Sequence, residues 1–174
     1  MIDDREGLPI TLSVLYMEMA RRLGLQVVGV GLPGHFVVRH MPASGQPQLL
    51  DVFDSAQPVS REEADRRVEA ATGRPLEEKE LAPTSKRAIL IRMLHNLLGI
   101  ARNERDGESM LRYLDTILAI APESGPERWT RALMRMQKAD QAGAREDADW
   151  LIEHKPEGIE IDRVRELRAV LRNR

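Results

Sequence analysis

The chain has 174 residues, 42% hydrophobic and 31% charged, a length for one ordinary domain or two small ones and a composition that excludes a disordered polymer. Its 26 basic and 28 acidic residues leave a net charge of −2, so electrostatics supplies no reason to expect nucleic acid or an anionic membrane as partner. There is no cysteine, which excludes disulfides, thiolate metal sites and a thiol nucleophile, and with 3% aromatics the core must be built from Leu, Val, Ile, Met and Ala, a helix-favouring set.

The first predicted element is a helix between Gly7 and Gly24. Pro9 suits its first turn, where an N–H would be unpaired anyway, and Arg21, Arg22 and Gly24 mark its end. From Ile10 to Ala20 the polar side chains are Thr11, Ser13 and Glu18 alone, so the helix is expected to be central and buried on several sides. It is too short to span a bilayer, which takes roughly 20 apolar residues. The residues after Met1 are acidic and polar, unlike a signal peptide, and a cytoplasmic protein is expected.

Three short strands follow, at Leu25–Gly31, His35–His40 and Gln48–Phe53, separated by the turn Leu32-Pro33-Gly34 and the loop Met41–Pro47. Tight connections predict a small antiparallel sheet. The GxGxxG run Gly29–Gly34 is not a dinucleotide fingerprint, because a strand follows it and Pro33 lies inside it. Ser60-Arg61-Glu62-Glu63 opens a helix in capping-box style that runs to about Ala71, stopped by Gly73 and Pro75. The polar stretch 77–83 reads as a linker between a first domain, 1–76, and a second, 84–174.

The second domain is all helix, with segments predicted near 84–104, 108–121, 126–139, 143–154 and 160–172. Pro122 and Pro156 close two successive helix pairs 34 residues apart, the period of the tetratricopeptide repeat. Working back from each proline, Leu98, Gly99, Met110, Leu114 and Ile117 in one copy, and Ala132, Ala144, Ala148 and Leu151 in the other, fall where the repeat wants small or apolar residues. The first copy is one residue short between Gly99 and Met110. Arg66, Arg67, Arg87, Arg92, Arg131 and Arg135 are interleaved with acidic residues and are expected on solvated helix faces. Trp129 and Trp150 are expected to pack between helices.

The run Gly7-Leu8-Pro9 to Gly24, then Gly34-His35-Phe36-Val37-Val38-Arg39, then Leu50-Asp51-Val52-Phe53 resembles the transglutaminase-like domain of the SirB1 family. In that family tetratricopeptide repeats follow the domain, the order found here. The resemblance implies an α+β fold: a truncated papain- or transglutaminase-like core of central helix plus small antiparallel sheet, then an all-α repeat region. It also implies a Cys–His–Asp triad, with the nucleophile at the helix start, where the dipole helps form a thiolate. His35 falls at the histidine position and Asp51 at the aspartate position. Pro9 occupies the cysteine position. Thr11 and Ser13 are the nearby hydroxyls, but each helical residue turns the side chain by about 100°, away from the place of position 9.

The expected function is therefore a non-catalytic interaction or scaffold protein whose repeats hold a protein or peptide partner. The alternative is a cysteine-less hydrolase or acyltransferase using His35 and Asp51 with Thr11, Ser13 or water as nucleophile. No cofactor is expected. His40, His95 and His154 lack metal-ligand spacing, so no metal is expected either. The short run before the central helix leads to a further expectation: an apolar patch near Ile10, Val14, Leu15 and Met17, covered either by a second copy of the chain or by a preceding segment.

Overall fold

The computed structural model describes residues 7–171 and divides the chain into two compact units, Met1–Met93 and Leu94–Arg174. The first holds helix α1 (Pro9–Arg22), strands β1 (Val27–Val30), β2 (Val37–His40), β3 (Gln48–Asp51) and β4 (Gln57–Val59), helix α2 (Arg61–Thr72) and a 3₁₀ turn (Glu78–Leu81). Helix α3 (Lys86–Asn103) runs through the division, and α4 (Gly107–Ile120), α5 (Gly125–Gln137), α6 (Gln141–His154) and α7 (Ile161–Val170) complete the second unit.

The sheet is an antiparallel meander in the order β1-β2-β3-β4. Its fourth strand is a correction to the three read from the sequence. β4 is three residues long, contains Pro58 and buries only Val59, so it has too little alternation to be seen. The turn before it also lacks the usual glycine or asparagine: Ser55 and Ala56 both adopt positive φ. At the opposite edge, Thr84 covers β1, its N–H donating to Gly29 O at 2.8 Å and its Oγ1 accepting from Gly31 N at 2.9 Å.

Each face of the sheet has its own core. On one side Val30, Leu32, Val37 and Val59 pack with Ala64 and Val68 of α2, and with Leu76 and Leu81. Leu81 thus places the 3₁₀ turn, within the stretch expected as a linker, in the packing of the first unit. On the other side Ile10, Phe36 and Ile89 meet, with Val14, Met17 and Met93 against them. Gly29 is needed there, because a Cβ would come within 2.7 Å of the Phe36 ring.

Helix α1 starts at Pro9 after an extended Leu8 and ends at the arginine pair, which binds Glu18 one turn back. It is not buried on several sides. One stripe, Ile10, Ser13, Val14, Met17 and Ala20, faces the core, while Leu15 and Met19 stand 40% and 56% exposed. The expected apolar patch is corrected accordingly. Ile10 is only 2% exposed and Val14 and Met17 are half-buried; the exposed apolar side chains on and beside the helix are Leu8, Leu15, Met19 and Leu23. A helix packed on a four-stranded sheet by one stripe leaves its far side open, however apolar its sequence.

In the second unit the 34-residue period is literal. Gly107 and Gln141 open α4 and α6, and Ile120 and His154 close them. Leu98, Leu114, Ile117, Ala132, Ala144, Ala148 and Leu151 are buried, and Gly99 and Met110 half-buried. Trp129 and Trp150 pack against these clusters. The expectation of solvated arginines fails here. Arg128, Arg131 and Arg135 stand three and four residues apart on α5 and converge on Asp147 of α6, which is 1% exposed. Arg131 Nε lies 2.9 Å and Arg135 Nη1 3.1 Å from its Oδ2, and Arg128 also stacks over Trp150 at 4.1 Å. Removing the charge of Asp147 leaves Arg128 without its carboxylate and Arg131 and Arg135 with only their more exposed partners Asp115 and Asp140. Asp147→Asn is expected to lower unfolding stability by about 3–5 kcal/mol, read from the denaturant midpoint of the helical signal, whereas replacing the exposed Asp162 should change it by less than about 0.5 kcal/mol.

Candidate functional site

The site is built at the ends of three elements of the first unit. The turn before β2 carries His35. Gly34 adopts φ +75° in it, and a Cβ there would stand 2.8 Å from that of Ala71 on α2, so glycine is required twice over. His35 N donates to Leu32 O at 3.1 Å, closing the turn. Arg92 of α3 braces it from outside, its Nη2 donating to Leu32 O at 2.8 Å and to His35 O at 2.7 Å. The Arg92 guanidinium lies over the Phe36 ring at 5.5 Å, and burial holds it below the usual arginine range.

Asp51 ends β3 and is 2% exposed. His35 Nε2 lies 2.9 Å from its Oδ2, and Arg67 of α2 donates to the same oxygen at 2.5 Å. Oδ1 accepts from the backbone N–H of Phe53 at 3.0 Å and of Asp54 at 3.3 Å. Burial pushes the Asp51 carboxyl upward, but the bonds from Arg67 and His35 outweigh it and hold the group below the ordinary aspartate value. Arg67 is raised in turn, chiefly by Asp51, and its second nitrogen binds Glu63 one turn back on α2. An ionised carboxylate only accepts, so His35 Nε2 donates and, in the neutral ring, Nδ1 is the bare nitrogen. Nδ1 has no hydrogen-bond partner among the described residues, and the side chain is 21% exposed.

His35 and Asp51 are therefore brought together, and in the first turn of α1 Ile10 packs on Phe36, the residue after His35. The hydroxyls are not brought into hydrogen-bonding contact with the imidazole. Thr11 Oγ1 donates to Leu8 O at 2.9 Å, and Ser13 Oγ is fully buried in the core-facing stripe without a partner among the described residues. Pro9 is the first residue of the helix. Among the described residues no three His, Asp or Glu side chains gather as a metal site would need.

Arg67 and Arg92 are the residues that sequence reasoning missed. Both were expected on solvated faces; one binds the buried aspartate and the other two backbone carbonyls. Arg67 carries one faint signal, its position four residues after Glu63. Nothing local points to Asp51 or to the Leu32–His35 turn.

The first unit thus pairs an imidazole with a buried carboxylate at the end of a small antiparallel sheet. The chain belongs to the transglutaminase-like superfamily, whose profile matches residues 1–95, and a tetratricopeptide-repeat profile matches residues 97–169. Its homologues are the UPF0162, SirB1-like proteins. It is similar to a UPF0162 protein of Xylella fastidiosa (strain 9a5c), with 34% identity over 92% of this chain and 59% of that one. The protein from strain Temecula1 matches equally well, at 34% identity and the same coverage. F-box only protein 21 of Homo sapiens is 30% identical over 68% of this chain and 20% of that one. The chain thus spans about three-fifths of the length of the UPF0162 relatives. No solved structure matches.

A group whose folded value is depressed contributes stability above its unfolded value, about 3.9 for aspartate, and loses it as pH falls through the folded one. Asp51→Asn is expected to be less stable than the native chain at pH 7 by about 2 kcal/mol, the range of hydrogen bonds to a charged group. The two denaturation midpoints should converge as pH is lowered below about 4. A gap that persists unchanged in acid would show that the Asp51 charge carries none of it.

Proposed function

We propose that the chain acts as a non-catalytic transglutaminase-like protein whose helical repeats hold a protein or peptide partner. The observation that carries this reading is Pro9 as the first residue of α1, the place where the superfamily's nucleophile is required. Proline offers neither a nucleophilic atom nor an ionisable group. Neighbouring hydroxyls do not replace it: Thr11 is committed to Leu8 O, and Ser13 faces the core. The helix start is a favourable place for a thiolate, but no thiol exists in the chain.

The partner reading draws on the second unit. A cavity of about 330 Å³ opens there between α3, α4 and α5, floored by Leu98, Leu114 and Gly99 and rimmed by His95, Arg102 and Thr130. Its His95–Glu127 pair, 2.8 Å apart, holds the two helices at a fixed spacing. Size and lining suit one side chain of an extended peptide. No helix among the described residues is long and apolar enough to cross a membrane, and the partner we envisage is met in the cytoplasm.

A second reading, hydrolysis or acyl transfer with water or a hydroxyl as nucleophile, is favoured by one observation, the unpaired Nδ1 of His35 in an oriented ring. Turnover separates the two. The purified chain is incubated with nitrophenyl esters and with glutamine-containing peptides plus a primary amine, alongside His35→Ala. The non-catalytic reading expects both proteins at the buffer rate. A rate that falls tenfold or more in His35→Ala would overturn it in favour of the second.

A further inference from the structure

The two copies of the helical repeat differ in how their grooves are lined. They are offset by 34 residues: α3 ends at Asn103 and α5 at Gln137, and α4 and α6 start at Gly107 and Gln141. Around Leu98, α3 lines the cavity with His95, Gly99 and Arg102, four and three residues apart on one helix face. The counterparts on α5 are Trp129, Leu133 and Met136. These are large and apolar, and they pack in one cluster with Leu167 of α7 and with Leu171 just beyond it. The second copy thus fills its groove with its own side chains. In the first copy the groove stays open over about 330 Å³.

Gly99 is what opens it. Glycine inside a helix is unfavourable relative to alanine, because it gives up more backbone freedom on folding. The repeat pattern wants a small residue here, yet packing does not require glycine: a Cβ on Gly99 would meet nothing within 4 Å. Beneath it Leu98 and Leu114 are buried, a floor for one aliphatic side chain. The polar groups of the rim are not equivalent. Glu127 is committed, one oxygen to His95 at 2.8 Å and the other to the Ser124 hydroxyl. Arg102 is exposed and has no hydrogen-bond or ion-pair partner among the described residues. It lies about 4.5 Å of helix rise beyond Gly99, within reach of the residue next to the one that enters.

We propose that this cavity takes the aliphatic side chain of an acidic segment of a partner protein: Gly99 admits the side chain, and Arg102 pairs with the carboxylate of an aspartate or glutamate next to it. This deepens the reading of the repeats as the part that holds a partner, and rests on it. Charge complementarity selects the occupant. A basic segment would bring a second cation to Arg102, and a wholly apolar one would leave the guanidinium only water to bind. A carboxylate meets it in a charge-assisted, bidentate pair.

The probe is an end-capped serine–glycine peptide with leucine–glutamate at its centre, so that the glutamate carries its one carboxylate. Controls carry leucine–glutamine, alanine–glutamate or leucine–lysine. Each is titrated to about 5 mM into the 15N-labelled chain, a range that reads the weak affinity of one side chain and one ion pair, and the amide shifts of Leu98, Gly99 and Thr130 are followed. The leucine–glutamate peptide should saturate these shifts and bind about fivefold more tightly than any control. Arg102→Gln should erase the advantage of glutamate over glutamine and keep the leucine-dependent shifts. Gly99→Leu, which repeats the side chain of Leu133 in the filled groove, should weaken binding about tenfold. Should circular dichroism find that variant unfolded, Gly99→Ala decides, with a loss of about threefold. Equal affinity for the glutamate and glutamine peptides, or an advantage that survives Arg102→Gln, overturns the proposal and leaves the repeats a peptide-binding surface. Native affinity in the folded Gly99 variant overturns it too, as does the absence of saturable shifts with every peptide. None of these outcomes bears on the turnover assay of His35→Ala, which decides the non-catalytic reading by itself.

Discussion

Asp51 is the constraint on which the first unit depends. A carboxylate buried at the end of a strand is costly unless every lone pair is met. Here the four donors come from the turn before β2, from α2 and from Phe53 and Asp54 just beyond β3. Meeting that one requirement fixes where α2 lies along the sheet, which way the His35 ring faces and how the chain leaves β3. The arrangement that orders a histidine is also the one that satisfies a buried charge. Geometry of this kind is shared by catalytic pairs and by structural ones, and what separates them is what faces the free nitrogen.

The second unit solves the same problem in mirror terms. Asp147 on α6 draws three arginines of α5 onto one buried group. A chain with 3% aromatics has few large side chains to lock helices in register, and Ala132, Ala144 and Ala148 at the contact are small. Small residues allow close approach but little shape. Directional hydrogen bonds from planar guanidiniums supply the register that bulky side chains would otherwise give. Charged residues that interleave along the sequence are thus not all surface: in each unit some of them bind a buried carboxylate.

How much was legible follows from what each feature depends on. The helices were readable because capping, periodicity and the proline spacing are local; the 34-residue offset between α4 and α6 follows from Pro122 and Pro156. His35 and Asp51 were readable only through resemblance, since sixteen residues separate them and no local rule joins a turn to a strand end. β4 was missed because a three-residue strand with a central proline has no pattern to offer. The exposed apolar side of α1 was anticipated at Leu15 but misplaced at Ile10, Val14 and Met17, because hydrophobic content sets how much surface seeks cover, not which stripe the fold covers.

The sequence by itself determined the α+β order of elements, the repeat period, the absence of any thiol and the proline at the start of the first helix. These are properties of composition and of contacts within a few residues. Only the tertiary structure decided that Arg67 shares an oxygen with His35, that Arg92 braces the turn from outside, and that Asp147 gathers the arginines of α5. The reason is physical. A charged side chain reads the same in sequence whether water or a buried carboxylate receives it, and the choice is made when distant segments pack and leave one lone pair to be filled.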